Sequence, residues 1–120
     1  MIANIDTIEK GQGFTAIAET ETTATSDPID ARGKNAILLK ITISVQVKKW
    51  TTKLTGCFTR DGTYVDLYEL ANTGTMTQMS YQTNASKMIL FKGIPSFVKV
   101  TATEDEDTGK CAVEYQLLNV

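Results

Sequence analysis

Between residues 37 and 47 the side chains alternate without a break. Ile37, Leu39, Ile41, Ile43, Val45 and Val47 fall on one side, and Leu38, Lys40, Thr42, Ser44 and Gln46 on the other. A period of two puts successive side chains on opposite faces of an extended chain, so this stretch reads as a long antiparallel strand with one face buried. The pattern returns near the C-terminus. Val98, Val100 and Ala102 alternate with Lys99, Thr101 and Thr103, and Cys111, Val113, Tyr115 and Leu117 alternate with Ala112, Glu114 and Gln116. The acidic run from Glu104 to Asp107, closed by Thr108 and Gly109, joins these two stretches. A glycine ending a short polar loop supplies the positive φ that a hairpin needs, so residues 96–118 are predicted as a C-terminal β-hairpin. Asp61-Gly62, between residues 52–59 and 63–68, predicts a second one.

Weaker strand signals lie at residues 14–20, 75–82 and 87–92. Residues 21–35, with Asp27-Pro28 and Arg32-Gly33, read as a long connection or an arm. No twelve-residue window carries a 3.6-residue period. The expectation is a single all-β domain over residues 1–120, an antiparallel β-sandwich or jelly-roll-like fold of about eight or nine short strands. Residues 1–35 form either an N-terminal arm or an edge strand plus a loop.

Composition reinforces the sheet. Nineteen residues are threonine, which is β-branched and fits a pleated, half-exposed surface. The net charge is −2, and the 12 basic residues are scattered from Lys10 to Lys110. No extended positive field is available to gather nucleic acid, so no nucleic-acid partner is expected. No run approaches the roughly 18 apolar residues of a membrane span. The first twenty residues, with Asp6, Glu9, Lys10 and Glu19, lack the basic-then-apolar layout of a signal peptide. No membrane role is expected, and synthesis in the cytoplasm is.

The chemistry on offer is sparse. Histidine is absent, which removes Ser-His-Asp and Cys-His nucleophile systems and every zinc site that uses imidazole. Cys57 and Cys111 are too few for an all-cysteine metal site, and without an export signal they are expected as reduced, buried core residues. Glu104 to Asp107 could gather a hard cation but lacks the rest of a twelve-residue calcium loop, so a solvated hairpin tip is expected. Asp61, Asp66 and Glu69 could supply a glycosidase pair, yet Asp61 already belongs to a turn and nothing marks a sugar cleft. Asn84-Ala-Ser86 matches a glycosylation sequon and reads as an exposed turn. No enzyme activity and no cofactor are expected.

Two groups remain as contact candidates. Lys48, Lys49, Trp50, Lys53 and Arg60 put an aromatic beside four cations, which suits a stacking platform, an intermolecular contact, or a strand end whose tryptophan caps the core. Ile2, Ile5, Ile8 and Phe14 would anchor an N-terminal arm on a neighbour. Ile2, Ile5, Ile8, Phe14, Trp50 and Arg60 are therefore the interface candidates.

The run from Leu54 through Gly56, Asp61, Gly62 and Tyr64 to Leu67 is followed by Lys92-Gly93-Ile94-Pro95 and then Phe97, Val98, Lys99 and Val100. Over about residues 50–118 this arrangement resembles small β-sandwich virion proteins of tailed bacteriophages, in which an SxDGTxWxxL hairpin precedes an xGxPxxVRV strand. Tyr64 stands where those proteins often carry tryptophan, and Cys57 where a small polar residue is usual. The resemblance implies a structural role as a head decoration, head fibre or tail-surface protein, with an auxiliary capsid protein as the leading reading. The implied partners are other virion proteins, foremost the major coat protein, and further copies of the chain in a homo-oligomer. The implied location is the virion, made and assembled in the host cytoplasm. The alternative is a carbohydrate- or receptor-binding module, for example on a tail or fibre, with Trp50, Tyr64 and Tyr68 stacking on the ligand.

Overall fold

The strand marked most clearly by alternation lies inside one of two packed sheets. The structure is a computed structural model that describes residues 13–44, 48–70, 73–105 and 109–120. In chain order the strands are β1 (Phe14–Thr20), β2 (Ala24–Thr25), β3 (Ile29–Asp30), β4 (Ala36–Ile43), β5 (Trp50–Cys57), β6 (Val65–Asp66), β7 (Tyr68–Leu70), β8 (Met76–Gln78), β9 (Ser80–Thr83), β10 (Lys87–Lys92), β11 (Phe97–Glu104) and β12 (Cys111–Leu118). All pairings between them are antiparallel. The first sheet runs β1-β12-β4-β10. The second is built on β11 and β5, with β2 and β3 on the free side of β11 and β6 and β9 on the free side of β5. A separate two-stranded ribbon, β7-β8, extends from it.

Alternation explains the core that these sheets enclose. Ile37, Leu39, Ile41 and Ile43 of β4 are buried, as are Cys111 and Val113 of β12 beside them. Across the sandwich, Trp50, Leu54, Val98, Val100 and Ala102 of β5 and β11 are fully buried. Each sheet is organised around one eight-residue pairing, Cys111↔Ile43 to Leu118↔Ala36 in the first and Phe97↔Cys57 to Glu104↔Trp50 in the second. The register keeps every inward residue opposite another inward residue, and a slip of one position would turn both apolar rows to solvent.

The predicted C-terminal hairpin is not formed. β11 and β12 lie in different sheets, so the chain passes from one sheet to the other between Glu104 and Cys111 instead of turning back within one. The positive φ expected at Gly109 is present, at 106°, but it serves that crossing. Alternation fixes which face of a strand is buried, and a strand in either sheet satisfies it equally. The Asp61-Gly62 hairpin forms in a reduced version. β5 pairs with β6 at only Thr55↔Asp66 and Gly56↔Val65. The connection is the seven-residue loop 58–64, and neither Asp61 nor Gly62 has a positive φ. Tyr64 closes this loop by donating its hydroxyl hydrogen to the Arg60 carbonyl at 2.7 Å.

Residues 21–35 also differ from the arm reading, because they fold onto their own domain. Ser26 clamps β11: its amide donates to the Val100 carbonyl at 2.8 Å, and its hydroxyl accepts from the Val100 amide at 2.9 Å. Ile29 and Ala31 are buried beneath the segment, and the Ala31 amide donates to the Ser96 carbonyl. The Arg32 guanidinium donates twice to Asp30, at 2.9 and 2.6 Å, and holds its carboxyl down to about 2. Arg32 also lies 5.3 Å from the Phe97 ring centroid. Backbone pairing along the open edge of β11 offsets the ordering entropy that the segment's few apolar residues cannot. The strand pieces β2, β3, β6 and β9 on these edges, together with the β7-β8 ribbon, raise the count among the described residues above the expected eight or nine.

Trp50 Nε1 and Thr52 Oγ1, both on the inward face of β5, have no hydrogen-bond partner among the described residues. A buried donor without a partner costs about 1–3 kcal/mol. Thr52→Val keeps the side-chain shape and should raise the unfolding free energy by about 1 kcal/mol in urea titration; a loss of stability would show that the hydroxyl is satisfied. Ile41→Asp and Val100→Asp place an unpaired carboxylate at fully buried positions. Each should unfold the domain, since several kcal/mol are lost from a total of about 5–15. Wild-type melting of either variant would contradict the assignment of faces.

Candidate functional site

The sheets close over their core, and the unusual surface lies on the excursion between β5 and β9. Among the described residues, ten large apolar side chains are exposed, and Phe58, Val65, Tyr68, Leu70 and Met76 fall within residues 58–76. Scattered exposed hydrophobics are ordinary, whereas half of those exposed here fall in one nineteen-residue stretch.

This excursion builds two features. The first is a groove of about 210 Å³ at the end of β5, lined by Gly56, Phe58, Val65, Leu67 and Pro95 among others. Gly56 is required by close packing: a Cβ there would sit 2.5 Å from Pro95 Cγ and 2.8 Å from Leu67 Cδ2. Phe58, 85% exposed, stands at the rim. The second is the ribbon. Tyr68 pairs with Gln78, Glu69 with Thr77 and Leu70 with Met76. Directly opposed residues share a face, so Tyr68, Leu70 and Met76 lie on one side and Glu69 and Thr77 on the other. The ribbon's base is tied down by the Met79 amide donating to the Leu67 carbonyl at 2.8 Å and the Leu54 amide donating to the Met79 carbonyl at 2.9 Å. Met79 is buried in the core, whereas Leu70 and Met76 are 67% and 62% exposed.

The sequence-predicted site residues that lie among the described residues do not converge. Trp50 is fully buried; it caps the core from β5, and the expectation of an interface or stacking role for it is corrected. Arg60 is exposed in the 58–64 loop, near the groove in sequence. Phe14 is half exposed on the edge strand β1, where its ring packs against Tyr115 at 5.7 Å. Ile2, Ile5 and Ile8 lie outside the described residues. The three aromatics of the sugar-binding reading are separated in role, since Trp50 is buried, Tyr68 is on the ribbon, and the Tyr64 ring is covered by the Lys99 ammonium at 4.4 Å.

Other expected features resolve in the same way. Cys57 and Cys111 are both free thiols. Burial pushes the Cys111 thiol up to about 11, as fits a core residue, whereas Cys57 is half-buried beside the groove and its pKa is lowered, chiefly by the Thr59 amide. In the sequon, Ser86 is structural, because its hydroxyl accepts the Ile43 amide at 3.0 Å. Asp105 is exposed, as a solvated tip requires, and it also makes side-chain hydrogen bonds. Its Oδ2 accepts from the Thr51 hydroxyl at 2.6 Å and from Gln82 Nε2 at 2.9 Å, stitching the end of β11 to β5 and β9. Sequence reading missed both this clamp and the ribbon. The ribbon's signal was present in Tyr68-Glu69-Leu70 and Met76-Thr77-Gln78, which alternate on either side of Gly74.

No group of three or more metal-ligating side chains gathers among the described residues. Because Asp105 is already engaged, added calcium and chelators should leave the melting temperature unchanged; a calcium-dependent rise of several degrees would reverse that reading of the acidic run.

No protein-family model matches the chain, and no curated protein matches it in sequence. Among solved structures it is similar to the crystal structure of the SPBc2 prophage-derived protein YomS, with a TM-score of 0.63 over 88% of this chain and 90% of that one. The two are 15% identical, so the likeness shows a shared fold.

Proposed function

We propose that this chain is a non-enzymatic structural protein of a bacteriophage particle, an auxiliary capsid protein that works through repeated protein–protein contacts. The observation that carries the reading is the concentration of exposed apolar side chains on residues 58–76. A β-sandwich with a closed core and an exposed apolar excursion presents the same surface in every copy, which is what an assembly component requires. Support for the phage setting comes from the fold shared with a prophage-derived protein and from the resemblance over residues 50–118. The partners in this reading are the major coat protein and further copies of the chain, and the location is the virion, assembled in the host cytoplasm. The groove of Gly56, Phe58, Val65 and Pro95 is the surface offered to the coat. The carbohydrate reading lacks a supporting observation, since Trp50, Tyr64 and Tyr68 form no common platform.

Co-sedimentation with assembled coat shells tests this reading. The chain should pellet with the shells at a fixed stoichiometry, and Phe58→Asp with Val65→Asp should release it while melting as wild type, because both positions are exposed. A chain that stays in the supernatant at every shell concentration would overturn the assignment.

A further inference from the structure

Two lysines from different sheets share one cleft at the side of the sandwich. Lys49 immediately precedes β5 of the second sheet, and Lys87 opens β10 of the first. With Tyr81, Gln82 and Thr83 of β9 and Asn84 of the turn that follows, they line a cleft of about 220 Å³. That is below the roughly 300–1,000 Å³ of a site that encloses a drug-sized molecule, so the cleft suits a small group. Of the cationic group read in the sequence around Trp50, Lys49 is the member that lines it.

Hydrogen bonds fix much of the lining. Thr83 is buried, and its hydroxyl donates to the Ala85 carbonyl at 2.8 Å and accepts from the Ala85 amide at 3.1 Å, which holds the turn that carries Asn84. One residue further, the Ser86 hydroxyl accepts from the Ile43 amide at 3.0 Å and ties the same turn to β4. Gln82 is held by its Nε2, which donates to Asp105 at 2.9 Å. The lysines are left differently. Both are exposed, and neither joins an ion pair among the described residues. No carboxylate lines the cleft, and Asp105, next to Gln82, already accepts from Thr51 and Gln82. Two ammonium groups facing one small polar space favour an anion between them.

We infer that this cleft binds a phosphate group, free or carried on a small polyol. A phosphate ester brings a charge of about −1.5 to −2 and three strong acceptor oxygens at neutral pH. That matches a lining rich in donors: the Lys49 and Lys87 ammonium groups, the Asn84 amide and the Tyr81 hydroxyl. A carboxylate offers one charge and two oxygens, and fills the same donors less completely. Gln82 and the Tyr81 ring, in a side chain 38% exposed, remain for the hydroxyls and C–H groups of a polyol. The cleft shares no residue with the contact surface of residues 58–76, so the two stand or fall separately.

Titration of the intact chain, followed through its amide NMR shifts, tests this. Inorganic phosphate and glycerol 3-phosphate should each give saturable shifts confined to Lys49, residues 81–84 and Lys87, and binding should weaken as sodium chloride is raised. Lys49→Gln with Lys87→Gln should melt near wild type, because both positions are exposed, and should weaken phosphate binding about tenfold or more. Lys92→Gln, exposed but outside the cleft, should leave binding unchanged. Should the double variant fail to fold, Lys49→Gln alone should still weaken binding several-fold. Acetate should bind about tenfold more weakly than phosphate. Tighter binding of glycerol 3-phosphate than of inorganic phosphate would support an ester as the occupant, and equal binding would support the free anion. Absence of saturable shifts, shifts spread over the surface lysines, binding retained by the Lys49 and Lys87 variants, or acetate binding as well as phosphate would overturn the inference.

Discussion

Everything in this molecule depends on two eight-residue antiparallel pairings, β4 with β12 and β5 with β11, facing each other across one core. Each pairing alone exposes an apolar row. Closed together, the two rows remove Ile37, Leu39, Ile41, Leu54, Val98, Val100 and Val113 from water, and burying a side chain of this size is worth about 1.5–3 kcal/mol. Both pairings join segments far apart in the chain, and the successive strands β10, β11 and β12 alternate between the sheets. Loop closure must therefore precede most of the burial, and slow folding with low tolerance for register errors is the consequence.

That dependence explains what could be read from the sequence. The inward residues of β4, β11 and β12 were legible because a two-residue period in a half-buried strand has a single reading. Partner choice was not, because Cys111 and Val113 face the core identically whether β12 lies beside β11 or beside β4. The same limit hid the role of residues 24–31. Ser26, Ile29 and Ala31 look too sparse to order a segment, yet β11 has an open edge that supplies hydrogen bonds no composition reveals. Trp50 shows the converse: its charged neighbours left stacking, contact and core-capping roles open, and its place at an inward position of β5 decided for the core.

The surface was less legible than the core, for a related reason. Residues 63–82 look like two strands separated by a turn, and in part they are. The chain, however, leaves the sheet at Leu67 and rejoins it at Met79, so the ribbon between them has one apolar face that the described residues leave largely exposed. Tyr68, Leu70 and Met76 obey the alternation of a buried strand at exposed positions. A regular element that keeps an exposed apolar face is the surface on which the proposed contact rests. With Phe58 and Val65 at the neighbouring groove, it concentrates the contact-forming chemistry on one excursion of an otherwise closed sandwich.

Amide hydrogen exchange of the intact chain, compared with and without assembled coat shells, tests this account most directly. If residues 58–76 form the contact surface, the amides of β6, β7 and β8 should gain protection when shells are added. The β4, β5, β11 and β12 core should exchange equally slowly in both conditions. Protection confined to other segments, or exchange in β6 to β8 that is indifferent to the shells, would contradict the account.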